Sequence, residues 1–80
     1  MSAPSTEREI AHDLVTERIL RIASRKRMFQ STVARLAGRS PSWFGDRVRG
    51  RSQWTYADLC DVATALNVRV EVVLDVTEVL

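Results

Sequence analysis

Gln30-Ser31-Thr32-Val33-Ala34-Arg35-Leu36-Ala37-Gly38-Arg39-Ser40-Pro41-Ser42-Trp43-Phe44 reads as helix, tight turn, helix. Val33, Ala34 and Ala37 are spaced to share the buried face of a helix that starts at Gln30 or Ser31. Gly38 suits the left-handed position just past its end. Ser40 is a good N-cap for the next helix, and Pro41 falls in the first turn, where its missing N–H costs nothing. Phe44 and Val48 stand four residues apart and should face the core, and Gly50 closes the helix. Gly45, in the middle of that helix, costs about 1 kcal/mol relative to alanine. It is either a tolerated defect or room for close backbone approach to a phosphate or a base.

The flanking segments extend the helical pattern. Upstream, residues 1–5 form a small polar tail, and a helix is expected from Glu7 onward. Glu7, Glu9 and Asp13 at its start and Arg25, Lys26 and Arg27 at its end match the helix dipole. Ile10, Leu14, Val15, Ile19 and Ile22 make its apolar stripe, and Met28 and Phe29 link it to the next element. Downstream, Thr55 and Asp58 form a capping-box pair, with Trp54 placed to pack on Leu59 as a hydrophobic staple. Leu59, Val62, Ala63 and Leu66 follow at i, i+3, i+4 and i+7, and Asn67 marks the stop.

The tail then changes period. Val68, Val70, Val72, Leu74 and Val76 alternate with Arg69, Glu71, Val73, Asp75 and Thr77, which predicts a strand over 69–76. A short fifth helix packed on the bundle is the alternative. A lone strand has no ladder partner within the chain, so a strand here would pair with a second copy. Val70, Val72, Leu74 and Val76 are then the expected dimer interface. The expected fold class is all-α: four helices over residues 6–68 and a dimerisation tail over 69–80.

Charge is distributed unevenly along this pattern. Residues 18–51 carry ten basic residues and one acid, Asp46, for a net +9; the rest carries two basic and nine acidic residues, for −7. The overall formal charge of +2 conceals this segregation. A basic block wrapped around a helix-turn-helix pattern is the electrostatic footprint of a chain that sits on a polyanion, here duplex DNA. Eleven arginines against one lysine suit bidentate contacts to phosphate and guanine.

Other functions find little support in the composition. Eighty residues make one domain, too small for an added effector-binding domain, so no small-molecule effector is expected. Domains of this size often gain stability from a partner subunit. Cys60 is the single cysteine and His12 the single histidine, so neither a disulfide framework nor a Cys/His metal site is expected. Cys60 reads as a small core residue and His12 as a surface residue. The sequence has no Gly-rich phosphate loop and no nucleophile elbow. No enzyme activity and no cofactor are expected. No apolar run approaches the roughly 18 residues of a membrane span, and no signal-peptide core is evident, so the expected location is the cytoplasm, on the nucleoid.

Gln30-x-x-Val33-Ala34-x-x-x-Gly38-x-Ser40 resembles the Gln-x-x-Leu-Ala-x-x-x-Gly-x-Ser signature of Cro and lambda-repressor-like helix-turn-helix proteins, the xenobiotic-response-element family. Ser40-x-Ser42-Trp43-Phe44-x-x-Arg47-Val48-x-Gly50, then Trp54-Thr55-x-x-Asp58-Leu59 and Ala63-x-Ala65-Leu66-Asn67-Val68, is similar to small regulators of actinobacteria and their phages. The resemblance spans roughly residues 14–74. Val48 departs from it, standing where a glutamate is common, and Pro41 stands where many members place a base-reading glutamine. The resemblance implies a dimeric, sequence-specific transcriptional repressor of the phage immunity or Cro type, acting on a palindromic or pseudo-palindromic operator. Alternatives are an antitoxin that binds its own operator, or an architectural DNA-binding protein.

In such a motif the second helix enters the major groove while the first crosses the backbone above it. Arg47 or Arg49 would bind a guanine bidentately, and Asp46 would accept from a cytosine amine or, as favoured here, orient a neighbouring arginine. Ser42 would serve either base, and Trp43 reads first as a packing residue beside Phe44, with a sugar or thymine-methyl contact as the alternative. Phosphate contacts are expected from Gln30 and Ser31, from Arg39 in the turn, and from Arg51, Ser52 and Gln53 after the second helix; Ser40, at the cap, is counted with the DNA-binding residues.

Overall fold

The computed structural model describes the backbone of residues 3–74 and the side chains of residues 12–74. Among the described residues five helices follow one another: α1 (Ala3–Arg25), α2 (Gln30–Leu36), α3 (Pro41–Val48), α4 (Tyr56–Leu66) and α5 (Val70–Leu74). The all-helical class expected from the sequence is what is found. α1 begins earlier than predicted, because residues 3–5 of the expected tail are already helical. Pro4 falls within the first turn, where proline is tolerated.

The helix ends are made by local chemistry. Ala37 closes α2, and Gly38 at φ +77° turns the chain so that Arg39 N–H donates to Ala34 O at 2.9 Å and Gly38 N–H to Arg35 O at 3.0 Å. These two bonds satisfy carbonyls that the helix end leaves open. Ser40 then caps α3, its hydroxyl accepting from Trp43 N–H at 3.2 Å. Gly50 at φ +80° repeats the same closure, with Arg51 N–H on Asp46 O at 2.9 Å. The capping box is fully formed: Asp58 N–H donates to the Thr55 hydroxyl and Thr55 N–H to Asp58 Oδ2, both at 3.0 Å. Asn67 ends α4 at φ 59°.

Every helix contributes at least one fully buried side chain to a common core: Ile19, Val33, Phe44, Val62 with Leu66, and Val73. α2 packs against α3 and α4, and α5 lies against α4 and α1. Ala34 is completely buried, which lets the helices around it approach closely.

Three expectations are corrected here. The strand predicted over 69–76 is helical over Val70–Leu74; residues 75 and 76 lie outside the described residues. Val70, Val73 and Leu74 stand at i, i+3 and i+4, so the same residues carry a helical stripe. Burial of Val73 against the core overrides the strand preference of the valines. Val70 and Leu74 therefore pack on their own chain, and only Val72 of the described interface candidates is exposed; Val76 is outside the described residues. A helical turn presents no strand edge to pair, so the unpaired-strand reason for dimerisation falls with the strand.

The second correction concerns the register of α1. Leu14, expected in the apolar stripe, is exposed, while Thr16 is buried. Thr16 accepts a hydrogen bond at 2.8 Å from Trp54 Nε1, which satisfies both groups. The third correction is His12, which is half-buried instead of a free surface residue. Its ring stacks on Trp54 at 6.2 Å between centroids, and Nε2 donates to the Arg47 carbonyl at 3.0 Å.

Candidate nucleic-acid interface

The residues expected to meet DNA separate into an outer set and an inner set. On the outside, Gln30 and Ser31 are exposed at the start of α2, as are Ser40 and Ser42 at the start of α3, Arg49 at its end, and Arg51 and Gln53 in the following loop. The Ser40 and Ser42 hydroxyls are 3.2 Å apart and present one polar corner. Asp46 lies 3.7 Å from Arg51, which fits the orienting role expected for this carboxylate. Ser52 is half-buried. Gln53 lines a small polar cleft with His12, Asp13 and Gly50, which brings it beside α1. Gln30 lies at the edge of a different, apolar groove formed with Leu20, Ala23, Met28 and Phe29.

Gly45 has a direct neighbour. A Cβ there would come within 2.9 Å of an Arg49 guanidinium nitrogen, so the Arg49 side chain folds back across the bare middle of α3. Glycine at this position gives that guanidinium a path along the exposed helix surface.

The inner set is Arg39, Arg47 and Trp43, and its centre is a residue that sequence reasoning assigned only to a cap. Asp58 is 3% exposed. Besides closing the capping box, its Oδ2 accepts from Arg47 Nε at 3.0 Å, and its Oδ1 lies 3.4 Å from an Arg39 guanidinium nitrogen. Arg39 also donates to Asp61 at 2.8 Å. The two guanidinium groups sit against the Trp43 ring, at 4.6 Å for Arg39 and 5.4 Å for Arg47. Both contacts are within the range of cation–π attraction. Burial works to raise the Asp58 pKa, but hydrogen bonds from Thr55 and Arg47, together with the Arg47 charge, outweigh it and hold the carboxyl below its ordinary value.

Arg47 is thus committed to Asp58, with its side chain only 18% exposed, and is not turned outward toward a base as expected. Arg39 is likewise engaged twice within the chain instead of standing free for a phosphate. Trp43 is half-buried and lies edge-on to Trp54 at 6.0 Å, with its Nε1 buried and unpartnered among the described residues. It is a packing residue in contact with two cations and with the Phe44 and Trp54 rings. The acids that hold these arginines, Asp58 and Asp61, lie three residues apart near the start of α4, so they share a face. That spacing was readable; which cations they meet was not, because Arg39 and Arg47 lie well upstream in the sequence.

What remains outward is a polar, cationic surface made by the start of α2, the outer face of α3 and the loop after it. Hydroxyls, amides and guanidinium groups on that surface are donors suited to phosphate oxygens and to the acceptors of base edges. Among the described residues, no helix is long and apolar enough to cross a membrane, and no cluster of His, Cys, Asp and Glu is placed as metal ligands would be. Comparisons with models of protein families, with curated protein sequences and with solved structures find no match to this chain.

Proposed function

We propose that this protein is a sequence-specific duplex-DNA-binding transcriptional repressor of the helix-turn-helix kind, with α2 and α3 as the motif and α3 as the helix that enters the major groove. The observation that carries the reading is the coincidence of two independent features. α2 and α3 are joined by a short turn with a left-handed glycine and pack against each other, and the +9 block of residues 18–51 is centred on them. The electrostatic term supplies affinity for any duplex. Ser42 and Arg49 on α3 supply base contacts, while Gln30, Ser31, Ser40, Arg51 and Gln53 hold the phosphates. Asp46 orients Arg51.

One such helix reads only a few base pairs, so a unique site requires two copies on a two-fold operator. Binding-site selection from random duplex DNA, read by sequencing, tests affinity, discrimination and palindromy together. Enrichment of an inverted repeat with half-sites roughly 34–36 Å apart is the expected result. Failure to enrich any sequence, with no retention of duplex DNA at low salt, would sink the reading.

A further inference from the structure

We propose that Asp58 is a positioning residue for the DNA-facing surface: its buried carboxylate on α4 withdraws Arg47 from that surface and, together with Asp61, holds Arg39, so that both ends of α3 are fixed in place. The inference rests on the duplex-DNA reading above and adds to it a residue that is not itself expected to touch DNA.

The geometry is economical. The carboxylate takes Arg47 from the last turn of α3 at 3.0 Å and approaches Arg39, in the turn before α3, at 3.4 Å. Its remaining hydrogen bond, from Thr55 N–H at 3.0 Å, anchors it to the start of α4. Both guanidinium groups contact the ring of Trp43, whose backbone N–H is held by the Ser40 cap. With Arg39 also donating to Asp61 at 2.8 Å, α3 is therefore tied at its start and at its end to α4. Hydrogen bonding to a base edge needs a helix held to roughly 0.5 Å and 10–20°, which a tether at both ends provides.

The second consequence is electrostatic. An unpaired Arg47 in this block would find phosphates on any sequence, raising non-specific affinity without adding discrimination. Specificity is a difference between two affinities, so neutralising a cation that reads nothing increases it. Asp58 acts on both sides of that difference, by aligning α3 and by removing indiscriminate charge.

Asp58→Asn separates the charge from the cap, since the amide oxygen still accepts from Thr55 N–H. Wild-type and variant protein are titrated with the selected site and with unrelated duplex over a range of salt. The variant is expected to bind unrelated duplex more tightly, with a salt slope steeper by about 0.9, the value for one further phosphate neutralised by Arg47. Its preference for the selected site should fall by about tenfold, the discrimination of one misaligned base contact. Val73→Ala serves as the destabilised control: partial unfolding lowers both affinities together and leaves their ratio and the slope unchanged. Should Asp58→Asn fail to fold, Arg47→Gln decides the matter. Because that guanidinium is already neutralised within the chain, its loss should leave the salt slope at the wild-type value while reducing discrimination. A slope shallower by about 0.9 would put Arg47 on a phosphate and overturn the proposal. Wild-type protein without duplex affinity overturns the DNA reading and this inference together. Wild-type protein that discriminates, beside an Asp58→Asn protein with equal discrimination and slope, overturns the role of Asp58 alone.

Discussion

At the scale of single residues, the arginines of the basic block differ by the carboxylate each one meets. Arg49 is exposed and lies along α3 over Gly45, whereas Arg47 is held by Asp58. Arg49→Ala is therefore expected to cost about 1–3 kcal/mol on the preferred site and to relax discrimination at one base position. Arg47→Ala should lower folding stability by about 1–3 kcal/mol, less than for a wholly buried pair because Asp58 keeps Arg39 and Thr55, and should weaken discrimination only through the loosened placement of α3. Urea titration and competition binding on both variants would check this division, and identical behaviour of the two would refute it. Asp58 also makes stability depend on pH. Its pKa is lowered in the folded protein from an ordinary 3.8, so its contribution is complete above that value and drains away as pH falls through the lower folded-state pKa. Wild-type protein should lose stability progressively below about pH 4. Asp58→Asn should be less stable at neutral pH and show a flatter acid decline; parallel acid curves would count against the ion pair.

At the scale of elements, four helix ends carry a residue in the left-handed region, and three of them use glycine or asparagine. The exception is Arg27 after α1, at φ 58°, where Arg27 N–H and Met28 N–H close the helix on Ser24 O and Ala23 O. That conformation costs an L-residue about 1–2 kcal/mol, partly offset in glycine by its greater freedom when unfolded. Arg27→Gly is expected to raise stability by about 0.5–1 kcal/mol, whereas Gly38→Ala should lower it by about 1 kcal/mol; thermal melts of the pair would show opposite shifts. α5 is short, yet it delivers Val73 to the core with no remaining exposure. Val73→Ala should cost about 2 kcal/mol by lost burial and an unfilled cavity. Removing residues 69–80 should accordingly destabilise the whole bundle, not detach an accessory tail. A truncated protein that melts like the full chain would contradict this.

At the scale of the whole molecule, the charge segregation of the sequence is partly undone by folding. Asp58 and Asp61 come from the acidic remainder of the chain and fold into the basic block, where they neutralise Arg39 and Arg47. The outward surface therefore carries fewer free cations than residues 18–51 suggest. Affinity for duplex DNA should still fall steeply with salt, by about 0.9 in log K per log unit of salt for each phosphate neutralised, with roughly four to six phosphates per subunit. A slope near zero would remove the nucleic-acid reading altogether.

Much of the architecture was written in short stretches of sequence. Gly38, Ser40-Pro41, Gly50, the Thr55/Asp58 box and Asn67 all mark ends that occur where they were expected, because caps and left-handed turns are made by atoms within a few residues of one another. The buried positions Val33, Ala34, Phe44, Leu59, Val62 and Leu66 followed from helical spacing in the same way. What spacing could not decide was which residues meet across the bundle. Thr16 with Trp54, His12 with the Arg47 carbonyl, and Arg39 and Arg47 with Asp58 are pairings between distant parts of the chain, set by how helices cross and not by any local preference. The same holds for residues 70–74. Their valines fit a strand by alternation and a helix by the i, i+3, i+4 stripe, and only the burial of Val73 against α1 and α4 chose the helix.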